Sequence, residues 1–220
     1  MRAYELISEA IPPLKTSDSI DRALELMSEY KVSHLPIVND TQFLGLVSED
    51  ELLEAGDGAR AVGDIQLTYY RPYVQENDHY FEVIRLVSSL RLSCVPVVDE
   101  EKNYKGCILL DALVHAMARL TAVNEPGGVL TLSVNARDYS ASEITRIVES
   151  NNALVLSLLT QSKPGNSHIE VVLKLNRENL KDIVSSFHRH QYEVLDVFDK
   201  SAIEEDLMDR FDSFLKYLDI

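Results

Sequence analysis

The first half of the chain carries one pattern of apolar positions twice. Ile20, Ala23, Leu24 and Met27 recur at helical spacing, as do Tyr80, Val83, Ile84 and Val87, and this predicts two amphipathic helices. Each is followed by a short apolar run, Leu35-Pro36-Ile37-Val38 or Val95-Pro96-Val97-Val98, of the kind expected of strands buried on both faces. A polar turn, a second strand and a second helix complete each unit. An offset of sixty residues aligns Pro12 with Pro72, Asp18 with Asp78, Leu26 with Leu86, Ser33 with Ser93 and Pro36 with Pro96. After the turn the offset becomes sixty-one and pairs Gly45 with Gly106, Asp50 with Asp111 and Leu52 with Leu113. The first half is therefore an internal duplication. One such unit holds too little core to stand alone, so the two are expected to pack together through their strands.

Asn124-Glu125-Pro126-Gly127-Gly128 interrupts any helix, and a different pattern follows. A strand from Val129 to Val134 leads into a helix opened by Ser140-Ala141-Ser142-Glu143 and carrying Ile144, Ile147 and Val148 on one face. Next come an apolar strand, Ala153 to Leu159, a break at Lys163-Pro164-Gly165-Asn166, and an alternating strand through Ile169, Val171, Leu173 and Leu175. Asn176 is placed to cap a helix bearing Leu180, Ile183, Val184 and Phe187, and a strand from Tyr192 to Phe198 closes the series. The order βαββαβ is the ferredoxin-like arrangement. Ser201 to Ile220 reads as a terminal amphipathic helix, with Ile203, Leu207, Phe211, Phe214, Leu215 and Leu218 on its apolar side. The expected class is α+β. Expected domains are 1–122 (units of about 1–58 and 59–122), 127–199, and the helix 201–220.

Composition narrows the function. A net charge of −15 over 220 residues opposes nucleic-acid binding. No apolar run approaches the roughly 20 residues that span a bilayer, and the first residues lack the apolar stretch of a signal peptide, so no membrane association and a cytoplasmic location are expected. Cys94 and Cys107 make neither a disulfide framework nor a zinc set, and read as two buried free thiols. No phosphate-cradling glycine loop, Gly-x-Ser-x-Gly elbow, His-Glu-x-x-His or Cys-x-x-Cys occurs, and His188 and His190 point apart on one helix. A non-enzyme without metal or resident cofactor is expected.

Val32-Ser33-His34-Leu35-Pro36-Ile37-Val38 with Phe43-Leu44-Gly45-Leu46-Val47-Ser48, and Leu92-Ser93-Cys94-Val95-Pro96-Val97-Val98 with Tyr104-Lys105-Gly106-Cys107-Ile108, resemble the two halves of a CBS-domain pair. The resemblance implies a pseudo-twofold module with two clefts, in which many members bind AMP, ATP or S-adenosylmethionine as a regulatory ligand. The family signature Gly-x-x-Ser/Thr-x-x-Asp falls on Gly45 to Glu51, keeping Ser48 and placing Glu51 where Asp is usual. In the second unit the same positions are Leu109 and Ala112, which carry neither group. Ser48 and Glu51 also form a capping box, so they serve either as a cap alone or as a cap that touches ligand. His34 stands where members of the family turn a polar side chain toward ligand, and Pro13, Leu14, Leu35 and Ile37 either line an adenine slot or pack the core. Lys15, Lys31, Arg71 and Arg91 are further donors for a phosphate.

The second half resembles an ACT domain, so the whole chain is similar to CBS-plus-ACT regulatory proteins, among them the acetoin-utilisation type. That resemblance implies either an amino-acid site near Arg137 and Asp138 or a sheet that pairs with another copy. Two functions follow as expectations: a sensor of an adenosine-containing molecule, or an interaction protein with vestigial clefts that docks a partner. Both imply a homodimer.

Overall fold

The computed structural model describes residues 1–8, 10–67, 71–162 and 165–199. The expected terminal helix, 201–220, lies outside the described residues. The chain divides into two compact units, Met1–Ala116 and Met117–Ile220.

In the first unit the duplication is visible in backbone detail. Helix α1 (Ile20–Tyr30) is capped by Ser19, whose side chain accepts the Arg22 N–H, and it ends on Lys31 in the left-handed region at φ 54°. The hairpin of β1 (His34–Asn39) and β2 (Gln42–Ser48) and the helix α2 (Glu49–Ala55) follow. The second repeat gives β3 (Val74–Gln75), α3 (Tyr80–Leu90), β4 (Cys94–Val98), β5 (Tyr104–Leu109) and α4 (Leu110–Leu120). Helix α3 ends on Arg91 at φ 55°, the counterpart of Lys31. Both hairpins are antiparallel and both shift register at equivalent steps, Ile37/Val38 and Val97/Val98. Strand β3 joins β4 in parallel, and the isolated parallel bridge Leu14↔Ile37 occupies the same place in the first repeat.

Each repeat borrows from the other's half of the sequence. Ala3 and Leu6 are buried in the second repeat's core with Val83, Val95 and Ile108, and Ala3 N–H donates to Asp78 O. Val62 is buried in the first repeat's core with Leu14, Leu35 and Leu52, and Val62 N–H donates to Asp18 O. Both thiols of the unit are fully buried: Cys94 and Cys107 lie on neighbouring strands, and the Tyr104 hydroxyl donates to Cys107 Sγ at 3.3 Å. The hydrogen bond to Cys107 and burial push the Cys94 thiol up.

The second unit holds β6 (Val129–Asn135), α5 (Ala141–Ser150), β7 (Val155–Ser162), β8 (His168–Leu175), α6 (Lys181–Arg189) and β9 (Glu193–Phe198). Its sheet runs β7-β8-β6-β9 with every pair antiparallel, which is the split-βαβ order of a ferredoxin-like fold. The fold class is thus α+β: a duplicated unit plus an additional sheet domain. Leu130, Leu132, Val171 and Leu173 face Ile144, Ile147, Ile183 and Phe187, all nearly or fully buried. One local expectation fails. Asn176 caps no helix; its Oδ1 accepts the Leu154 N–H at 2.7 Å and ties two loops together. The helix starts later, at Lys181, after Leu180, whose N–H donates to Asp199 Oδ2 at 3.0 Å. Leu180 itself has no capping side chain, and the Lys181 N–H donates to Asn179 Oδ1 at 3.0 Å.

Candidate functional site

The β1–β2 register sets His34 opposite Ser48, fourteen positions away in sequence. Ser48 is the N-cap of α2 in extended backbone, φ −96° and ψ 158°. Its Oγ accepts the Glu51 N–H at 3.3 Å, while its own N–H and O–H donate to Glu51 Oε2 at 2.7 and 2.8 Å. The full capping box therefore forms. Across the repeat boundary, Ser33 N–H donates to Ser93 Oγ at 3.0 Å, and Ser93 N–H donates to His34 Nδ1 at 3.3 Å. The hydroxyls of Ser33 and Ser93 both lie 3.1 Å from the same nitrogen. Because a backbone amide points at Nδ1, that nitrogen is the acceptor and the neutral ring carries its proton on Nε2. Cys94 Sγ, at the duplicated position, donates to His34 O at 3.2 Å.

His34 is only 7% exposed, and burial lowers its pKa against the opposing pull of the Glu51 and Asp50 carboxylates. A histidine held neutral in the fold binds protons more readily when unfolded. Its contribution to stability is then complete above the ordinary histidine value of about 6.5 and is lost as pH falls below that toward the lower folded value. We expect the urea midpoint to drop between about pH 7.5 and about pH 5.5 more steeply in the wild type than in His34→Asn, which keeps an acceptor but does not titrate. Equal slopes would show that His34 is not held neutral.

These groups open onto a cleft of about 300 Å³ lined by Ser33, His34, Ser48, Glu49 and Asp50 from the first repeat and by Leu90 and Arg91 from the second. Of the donors expected from sequence, His34 and Arg91 line it; Lys15, Lys31 and Arg71 do not. Arg71 instead lines a separate cavity of about 110 Å³ with Phe43 and Tyr73. Glu51 is half-buried and stands behind Ser48, outside the lining. Pro13 is exposed, whereas Leu14 and Leu35 are fully buried and Ile37 is 3% exposed, all three within the first repeat's core. Sequence reasoning overlooked Ser33, Glu49, Asp50 and Leu90 as lining residues. The repeat alignment of Ser33 with Ser93 was the signal for the first, since both serines meet at the seam between repeats. At the duplicated hairpin position Cys94 faces Leu109, with no hydroxyl or carboxylate to match Ser48 and Glu51.

The second unit has a cleft of about 410 Å³ lined by residues including Asn135, Asp138, Glu143, His168, His190 and Tyr192. Asp138 lines it and Arg137 does not, so this cleft does not take both loop charges. Among the described residues no group of three or more His, Cys, Asp or Glu is arranged to hold a metal ion, and no helix is long and apolar enough to cross a membrane.

Comparison with known proteins agrees with the duplication. An inosine-5'-monophosphate dehydrogenase from Methanocaldococcus jannaschii is 21% identical over 149 residues, 67% of this chain and 30% of that protein. A homoserine O-acetyltransferase from Methanobrevibacter ruminantium is 24% identical over 116 residues, 52% of this chain. The chain spans less than a third of the length of either relative, 30% and 24%. Among solved structures, a CBS domain pair/ACT domain protein from Thermotoga maritima is 24% identical and aligns over 53% of this chain and 96% of that one, with a TM-score of 0.48. CBSX2, solved in complex with AMP, is 25% identical over 53% of this chain and 95% of its own, with a TM-score of 0.46. The CBS domain itself matches twice, at residues 3–58 and 62–119. Those two matches fall on the two structural repeats and together cover more than half of the sequence, so the chain belongs to the CBS-domain family.

Proposed function

We propose that this chain is a non-catalytic regulatory module that senses an adenosine-containing small molecule in the cleft between its two CBS repeats. The proposed contacts are His34 and Ser48, with Glu51 holding Ser48 in place and Pro13, Leu14, Leu35 and Ile37 supporting the cleft from β1 and the segment bridged to it. The observation that carries this reading is that one cleft takes His34 and Ser48 from the first repeat and Arg91 from the second. A molecule bound there touches both halves and favours whichever arrangement of the repeats fits it better, which needs differential affinity and no chemistry. The reading places the CBS pair at 1–122 and an ACT-like domain at 127–199, working as a cytoplasmic homodimer.

A second reading, a docking protein with vestigial clefts, is favoured by Leu109 and Ala112 in the second repeat and by exposed apolar side chains such as Phe81 and Val114. A thermal-shift series with adenosine, AMP, ATP and S-adenosylmethionine, run on protein first sized at twice the 24.8 kDa chain, separates the two. A ligand at about 100 times its Kd adds about 2.7 kcal/mol. Glu51→Ala should weaken binding at least tenfold, and Ser48→Ala should also lower stability by ~1 kcal/mol through the lost cap. Silence across the series, or unchanged affinity in both variants, would leave the docking reading.

A further inference from the structure

The sensing cleft sets two carboxylates, Glu49 and Asp50, against one guanidinium, Arg91. Glu49 and Asp50 line it from the first turn of α2, and Arg91 is the one lysine or arginine among the described residues of the lining. The carboxylate of Glu51 stands just behind, bonded to Ser48. Several of the backbone and hydroxyl donors beside the carboxylates are already engaged. Glu49 N–H donates to Ser33 O at 2.9 Å, Glu51 N–H to Ser48 Oγ, and the Ser48 hydroxyl to Glu51 Oε2. Ser33 N–H is committed to Ser93 Oγ, and His34 presents Nδ1 to the seam as an acceptor. Helix α2 has seven residues, too short for its N-terminus to make an anion site on its own. A 5′-phosphate entering this cleft meets acceptors and like charge, and the net charge of −15 on the chain adds to the same field. The hydroxyls of a ribose, by contrast, are donors that carboxylates accept, and a cationic substituent is drawn toward Glu49 and Asp50.

We infer, resting on the sensor reading above, that this cleft selects an adenosine whose 5′ substituent is neutral or cationic, such as a free nucleoside or a nucleoside sulfonium, and disfavours adenosine phosphates. The two carboxylates at the start of α2 set that preference, and Arg91 is outnumbered.

The test is calorimetric titration of the full chain with adenosine, S-adenosylmethionine and AMP, without divalent cations, at low and at high salt. The same titrations are run on the double variant Glu49→Gln/Asp50→Asn and on Asp50→Asn alone, with melting curves to confirm that each is folded. In the wild type at low salt, adenosine and S-adenosylmethionine should bind at least tenfold more tightly than AMP. The gap should narrow severalfold in the variants and at high salt, since screening acts on the charge contrast alone. AMP binding as tightly as adenosine would overturn the selectivity while leaving the sensor reading intact. A gap unchanged by Asp50→Asn and by the double variant would overturn the role given to the carboxylates. Failure of all three compounds to bind the wild type would overturn the sensor reading, and the selectivity with it.

Discussion

Leu35→Ala should cost the first unit about 2–5 kcal/mol, the range of large-to-small substitutions at sites that collapse incompletely. Leu35 is fully buried in β1, opposite Val47, inside a cluster with Leu14, Leu26, Met27 and Leu52. Truncation removes methyl groups from a close-packed interior and leaves a void that the two-stranded hairpin fills poorly. The substitution also separates the two roles left open for this residue. An adenine-lining leucine would show its loss mainly in ligand affinity, whereas a core leucine shows it in the urea midpoint with or without ligand. A stability loss below about 1 kcal/mol would mean that Leu35 fronts adaptable space.

Gly127→Ala should be comparably damaging to the second unit. Gly127 has φ +140°, a conformation that side-chain-bearing residues rarely adopt, and a Cβ built there lies 1.9 Å from Leu175 O and 2.9 Å from its carbonyl carbon. The obstacle is backbone and cannot rotate away. Lys174 Nζ also donates to Gly127 O at 2.9 Å, and Leu175 N–H to Gly128 O at 3.0 Å, so the glycine pair docks the chain onto the end of β8 as it enters β6. A loss of about 3 kcal/mol or more is expected. Gly165→Ala serves as the comparison: its φ is +81° but none of the described residues comes within 4 Å of a Cβ there, leaving conformational strain of about 1–2 kcal/mol. Equal effects of the two substitutions in denaturation experiments would show that the contact with Leu175 yields at little cost.

Much of the fold was legible because it was written twice. The sixty-residue offset before the turn and sixty-one after it correspond to hairpins whose register shifts at equivalent steps. Alternation in Ile169 to Leu175 likewise marked a strand with one face buried. The site was harder to read. Apolar runs such as Leu35 to Val38 look the same whether they line a slot or fill a core, because both demand the same side chains. Arg91 was named as one donor among several, and only its place beside Ser33, His34 and Ser48 in the cleft separates it from Lys31, its duplicate. Glu49 and Asp50 read as ordinary first-turn acids, since helix dipoles favour carboxylates there regardless of any ligand. Asn176 misled for a different reason: its short-range capping chemistry lost to a long-range bond with Leu154.

The two thiols of the first unit give its interior a clock. Cys94 and Cys107 have no exposed surface, and Cys94 is further held in the protonated form that does not attack electrophiles. Alkylation or oxidation must therefore wait for the strands β4 and β5 to part, and its rate in native buffer measures how often they do. Any molecule that tightens the seam between repeats slows that clock, and one that loosens it makes it run faster.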